Sequence, residues 1–449
     1  MNYSLSTILF TLTLATAVHA ENWPQWRGPT FNGATDEKGL PANFSKTESV
    51  KWSIALPGPS AATPAIWGDR VFVSSVDTQA GTLVALCLDR KTGRELWRRE
   101  VGVGLKQDDR SNFASPSPVT DGQGVWFFYG NGDLACFTVD GAKQWSRNLQ
   151  TDHGKFAFLW TFSSSPLLHE GRLILQILQR DTPVNRANPL GAVATDKPAE
   201  SFLLALDPAT GKQLWKSARP SDAKVESREA FSTPVPFAHN GRNELLVTGG
   251  DCISGHDPVT GKELGRSASW NEQKITHWRL VPSPVAGDDV VLACAPKNEP
   301  IFAFKGGSSG KIEIANSAWR SEPRGKESAT LDLTSDVPTP LFYQGKFYVV
   351  NGGKKKLLCV EPKTGKVLWS GDLGGKAVFE ASPTAADGKI YVMNHKGEVF
   401  VAAAGGDSFK LLHTAAMGDD TDKDLRSCVA ISQGSLFIRT GAKLYCVGK

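Results

Sequence analysis

Beyond its first twenty residues the chain has no apolar run long enough to cross a bilayer. It has no surplus of one charge: 50 Lys and Arg against 46 Asp and Glu leave +4 over 449 residues, too dilute to draw nucleic acid. No 3.6-residue apolar periodicity is sustained, which excludes a helical repeat. The eight histidines show neither HxH nor HExxH spacing, so no metal centre is expected. In "GGSSGK" (306–311) Lys305 stands where a phosphate loop needs its first glycine, and Ile312 follows the lysine. The acidic "DDTDKD" (419–424) has Leu425 at the sixth position and Ile431 at the twelfth, where a calcium loop needs Gly and Glu.

What is present begins with "LSTILFTLTLATAV", an uncharged run too short to span a bilayer, followed by "VHA" (18–20) with small residues at −3 and −1. Residues 1–20 read as a secretory signal cut after Ala20, leaving no transmembrane span. The first cysteine is Cys87, so no lipid-bearing cysteine sits at the cut. Residues 21–49 form an extended strap, and residues 50–449 a repeat.

The repeat is open to inspection. "VALCLDRKTGRELW" (84–97), "LLALDPATGKQLW" (203–215) and "LLCVEPKTGKVLW" (357–369) are one strand, one turn and one tryptophan strand. Ser or Thr followed by Pro64, Pro118, Pro166, Pro234, Pro284, Pro340 and Pro383 opens each unit; the eighth opening is read as Ser427-Cys428, its proline lost. Each unit holds four short β-rich runs punctuated by Gly, Asp and Asn, which is the pattern of propeller blades. The last unit ends at "LYCVGK" without its tryptophan strand, while "VKWSIALPG" (50–58) has such a strand and no blade before it. The expected fold is therefore all-β: an eight-bladed β-propeller of four-stranded antiparallel blades, closed by the N-terminal strand.

Trp52, Trp97, Trp145, Trp215 and Trp369 are expected to wedge between blades, with Gly265 and Ile314 in that slot in blades four and five, and only Leu411 and Leu412 in blade seven. Cys87, Cys136, Cys359 and Cys446 share one register nine or ten residues before the tryptophan slot. Equivalent positions in different blades lie too far apart for a disulfide, so no structural disulfide is expected.

"ALDPATGKQLW" together with the "SP" openings resembles the PQQ-like repeat family of eight-bladed propellers, over roughly residues 50–449. That family includes quinoprotein dehydrogenases and the outer-membrane assembly protein BamB. The leader "NWPQWRGP" (22–29) is similar to the N-terminus of exported members. The resemblance implies the fold and says little about function. Quinoprotein dehydrogenases carry adjacent cysteines over their cofactor and Glu, Asn and Asp around calcium; no Cys-Cys dipeptide occurs here. No cofactor is expected, PQQ included.

Strand alternation places the short turns at one end of the ring and the long outer-to-inner connections at the other. The insert "QRDTPVNRANPLGAVATDKPAE" (179–200) emerges on the long-loop end. Just before the blade openings these loops carry Arg110, Asn112, Trp160, Arg228, Glu229, Trp278, Arg279, Asp336, Glu380 and Arg426. Equivalent positions in a closed ring converge on the channel mouth, where mixed charge and two tryptophans suit a protein, a peptide or a polar small ligand; alternatively the residues pair among themselves and seal the channel. The expectation is an exported, monomeric, non-catalytic binding propeller of the cell envelope. The alternatives are a quinone- or metal-dependent oxidoreductase and a purely structural part of an envelope complex.

Overall fold

A computed structural model describes residues 22–106, 108–185, 188–192, 198–322 and 332–449; the expected signal segment lies outside them. Eight blades of four antiparallel strands are present, each running from an inner to an outer strand. Blade 1 is Ala65–Trp67, Arg70–Asp77, Thr82–Asp89 and Glu95–Val103. Blade 8 is Ala430–Ser432, Ser435–Arg439 and Lys443–Gly448, and its outer strand is Val50–Ala55 from the other end of the chain. The pairing Trp52↔Cys446 puts the first strand in the register of Trp97↔Cys87. Closure by the N-terminal strand leaves no blade with an unpaired seam.

Two devices join neighbouring blades, and both account for the repeat. Near the axis the opening Ser or Thr of each blade accepts from the backbone N–H of the preceding one. Thr63 N donates to Ser117 Oγ (2.9 Å), Ser117 N to Ser165 Oγ (3.0 Å), and Ser165 N to Thr233 Oγ1 (3.0 Å). Thr233 N, Ser283 N and Thr339 N continue the series onto Ser283, Thr339 and Ser382 (2.8, 2.9 and 2.9 Å). Cys428 N then donates to Thr63 Oγ1 (3.1 Å). This belt corrects the eighth opening by one residue: Cys428 stands in the Ser/Thr position and Val429 in the proline position. With no proline to mark it, "RSCVA" could be read in either register.

At the rim the tryptophans of blades 8, 1, 2 and 3 lie on the glycine of the next blade's turn. Trp52, Trp97, Trp145 and Trp215 donate through Nε1 to the carbonyls of Arg90, Val139, Pro208 and Pro258 (2.7, 2.9, 2.9 and 3.3 Å). A Cβ on Gly93, Gly141, Gly211 or Gly261 would come within 2.5–2.7 Å of those indoles. The turn glycine therefore supplies positive φ and also clears the neighbour's ring. The Asp or Glu that opens the turn holds it: Asp207 Oδ1 accepts from Thr210 N and Oγ1 (2.8 and 2.9 Å).

Two further expectations change. Blade 5 does have its wedge tryptophan, Trp319, paired with Ala303 and donating to Pro362 O (2.7 Å). Ile314 instead lies in a short 3₁₀ turn, because Gly310–Ile312 leaves blade 5 and runs parallel to the outer strand of blade 4. Gly265 keeps the slot in blade 4, and the crossing backbone at Gly310 is what a side chain there would strike (2.9 Å). In blade 7 the slot belongs to His413, opposite Val401, not to Leu411 or Leu412; Leu412 is the bulge residue, as Leu96, Gln144, Leu214 and Leu368 are before the tryptophans of blades 1, 2, 3 and 6. His413 Nε2 meets Phe44 O at 2.7 Å. All seven cysteines are buried and free.

Residues 22–49 cross the short-turn end of the ring. Trp23 exchanges backbone hydrogen bonds with Ile66, and Thr120 N donates to Pro24 O (2.9 Å). Arg27, 1% exposed, donates to Pro383 O (2.6 Å) and Pro340 O (2.7 Å) on the inner strands of blades 7 and 6. Glu37 accepts from Gln433 N and Gly434 N in blade 8, and Tyr391 Oη donates to Pro41 O (3.0 Å).

Gly211 and Gly171 share a left-handed φ (69° and 68°), but only Gly211 faces an indole; nothing lies within 4 Å of a Cβ at Gly171. Gly171→Ala is expected to cost about 1 kcal/mol from backbone strain. Gly211→Ala should add about 1–3 kcal/mol of overpacking. Equal losses in denaturant unfolding would mean that the glycine serves the turn alone.

Candidate functional site

The ten candidate residues lie on the long-loop end, and seven form two linked groups. In the first, the Arg110 guanidinium stands 5.4 Å from the centre of the Trp160 ring, within cation–π range. Trp160 Nε1 donates to Glu226 Oε1 (3.0 Å), and Arg279 Nη1 lies 3.9 Å from the same oxygen. Beside them Glu229 is fully buried, in contact with Arg180 Nε and accepting from Leu159 N (3.1 Å). Burial pushes its carboxyl up, to about 8, against the pull of Arg180. Arg228 pairs with Asp181 at 2.7 Å.

The second group joins blades 7 and 8. Arg426 Nε donates to Glu380 Oε2 (2.5 Å), which also meets His395 Nε2 at 3.0 Å; His395 Nδ1 lies 3.5 Å from Asp424. Burial alone would raise the Glu380 carboxyl, but His395 and Arg426 outweigh it and hold it down at about 2. Arg426 Nη1 donates to Arg110 O (2.8 Å), which ties the two groups together across blade 1.

Three candidates serve locally. Asn112 donates to Pro59 O (2.7 Å), and Asp336 accepts from Lys297 N (2.6 Å). Trp278 packs its ring on the core between blades 4 and 5. Outside the pairs a groove of about 410 Å3 remains, walled by Pro59–Ala61, Lys106, Asp109–Asn112 and Thr421–Arg426.

Sequence reasoning did not single out Arg180, Glu226 or His395. His395 occupies the turn between the second and third strands of blade 7, and Arg180 the same connection in blade 3. Such turns emerge on the long-loop end by the same alternation that picked out the blade openings. That rule, applied to both kinds of connection, finds them.

The depressed Glu380 carboxyl contributes stability above the ordinary carboxylate range, and the contribution is lost as pH falls toward about 2. Glu380→Gln should therefore lower the melting temperature at neutral pH and flatten its decline between about pH 4 and 2. Parallel melting curves for both proteins across that window would show that the link contributes nothing.

Among the described residues no group of three or more His, Cys, Asp or Glu side chains is arranged to hold a metal ion. Comparison with known proteins agrees with the architecture. A family model described as outer membrane protein assembly factor BamB matches residues 33–184 and 315–408, more than half of the chain. A polyvinylalcohol dehydrogenase of Pseudomonas sp is 26% identical over 206 residues, 44% of this chain and 29% of that protein; the chain thus matches under a third of that relative. Among solved structures, BamB from Moraxella catarrhalis superposes with a TM-score of 0.57 at 14% identity, covering 89% of this chain and 99% of that one. A quinohemoprotein alcohol dehydrogenase from Comamonas testosteroni gives 0.64 at 14% identity, covering 97% and 82%. At these identities the superpositions speak for the fold alone. With the family model matching more than half of the chain and eight PQQ-like blades in a closed ring, the chain belongs to the BamB-type family of PQQ-like repeat β-propellers.

Proposed function

We propose that this protein is an exported, non-catalytic propeller that binds a protein or peptide of the cell envelope, or a polar ligand, through its long-loop face. One observation carries the reading: the strap occupies the short-turn end of the ring, with Arg27 inside it, so the long-loop end is the face left for a partner. There the Arg110–Trp160 stack and the groove beside it combine an aromatic with charge of both signs. No helix among the described residues is long and apolar enough to cross a membrane, which fits release after cleavage following Ala20. A monomer suits a ring whose blades are all paired.

A second reading, an oxidoreductase of the quinoprotein type, is favoured by the match to the polyvinylalcohol dehydrogenase. The donor set here does not fit a quinone with its calcium: Glu229 and Glu380 are each committed to an arginine, and no two cysteines are adjacent.

Arg110→Ala combined with Trp160→Ala should weaken capture of an envelope partner about thirtyfold, or about 2 kcal/mol, with little change in melting. A folded double variant that captures every partner as wild type does would put the binding surface elsewhere. A new absorbance band on adding quinone and calcium to the wild-type protein would favour the oxidoreductase.

A further inference from the structure

The strap folds back on itself as it crosses the short-turn end. Its outgoing arm runs over blades 1, 2 and 3: Asn22 Oδ1 accepts from Gly68 N (2.8 Å), Pro24 O from Thr120 N (2.9 Å) and Gln25 Oε1 from Leu168 N (3.3 Å). Its returning arm lies over blades 6 and 7, where Arg27 is anchored and Ala34 bridges Ala385. A cavity of about 470 Å3 remains, walled by both arms and by the inner strands of blade 1, at Trp67, and blade 6, at Phe342–Gln344. It lies at the end of the ring opposite the long-loop face.

Two aromatic rings of this wall are backed by glycines of adjoining blades. A Cβ on Gly122 of blade 2 would come within 2.1 Å of the Trp67 indole, and one on Gly287 of blade 5 within 2.2 Å of the Phe342 ring. Phe342 also packs on Phe347, with ring centres 5.1 Å apart. The rings are therefore fixed before any ligand arrives. Amides supply the polar part of the wall. Asn32 spends Oδ1 on Thr30 Oγ1 and Ala34 N (2.6 and 3.0 Å), as Asn22 does on Gly68 N. Among the described residues neither NH2 group has a protein partner. Gln344 Nε2 makes one long contact, 3.4 Å to Tyr343 Oη.

The chemistry of the wall selects its ligand. No Lys, Arg or His is among the described residues that line it, and Asp36 brings the one charge, so an anion would meet no counter-charge. A wholly apolar molecule would take water from the amides and return no hydrogen bond. A sugar ring suits both parts: its C–H faces lie on aromatic rings, and its hydroxyls both donate and accept. The volume is in the usual range for small-molecule sites, about 300–1,000 Å3.

We propose that the cavity between the two arms of the strap and the inner strands of blades 1 and 6 binds a neutral saccharide, with Trp67 and Phe342 as the stacking rings and Asn22, Asn32 and Gln344 as hydroxyl partners.

Titration calorimetry of the purified protein with maltose, cellobiose and N,N′-diacetylchitobiose tests this, with glucuronate and spermidine as charged controls. The expected result is saturable binding of at least one of the three sugars and none of the controls. Trp67→Ala should weaken that binding at least tenfold. Asn32→Asp keeps the oxygen that holds the turn and removes the NH2, so it should weaken binding about tenfold with little change in melting. Should Trp67→Ala fail to fold, Asn32→Asp and Gln344→Ala carry the test, with the same direction expected. No saturable binding of any of the three sugars, folded variants that bind as wild type does, or binding of a charged control in preference to the sugars would overturn the proposal.

Discussion

Everything in this fold depends on how one blade is fastened to the next. A four-stranded sheet of this size buries only part of each face and is not stable by itself, so the seams between blades hold the stability of the ring. Most seams are fastened twice, by a hydroxyl near the axis and an indole at the rim. The inner fastening explains the Ser/Thr-Pro openings. The hydroxyl accepts from the preceding blade, and the proline, which has no N–H to satisfy, tolerates the first position of an inner strand. The outer fastening explains why turn and tryptophan recur together: the glycine of one blade is shaped by the tryptophan of the blade before it.

Most departures from the pattern fall where other parts of the chain come in. Gly265 has no indole, and the strand Gly310–Ile312 lies against it instead. His413 replaces an indole in blade 7 and meets the strap at Phe44. Trp369, which faces the blade 7 turn, has no partner for its Nε1 and packs on Phe409 in place of a turn glycine. Cys428 offers a thiol where the belt has hydroxyls, beside the channel that Arg27 enters. Three of these four losses coincide with a segment outside the regular blades, whereas Phe409 belongs to the blade 7 turn itself.

Much of this was legible in the chain. Blade number, closure by residues 50–55 and the wedge role of five tryptophans follow from spacing and from the alternation of strand direction. What was not legible depended on landmarks that single blades lack and on one excursion of the chain. The register of blade 8 had no proline to mark it, blade 7 carries His413 where a tryptophan would have marked the slot, and the excursion of 310–312 displaced the blade 5 strand to Trp319. The loop end could be read as a set of positions, but not as partners. That Arg426 reaches the Arg110 carbonyl across blade 1, or that Trp160 finds Glu226, depends on loop paths with no periodicity. The strap's course over the short-turn end was likewise invisible, because "NWPQWRGP" shows nothing of where Arg27 is buried.

The central claim is that the belt hydrogen bonds are formed and broken as one, because each links a blade to its neighbour in a closed ring. Native-state hydrogen exchange reports this at the belt amides of Thr63, Ser117, Ser165, Thr233, Ser283 and Thr339. The account predicts that all six exchange only through global unfolding, with one common free energy and one denaturant dependence. Belt amides that exchange blade by blade, with separate and smaller free energies, would contradict it.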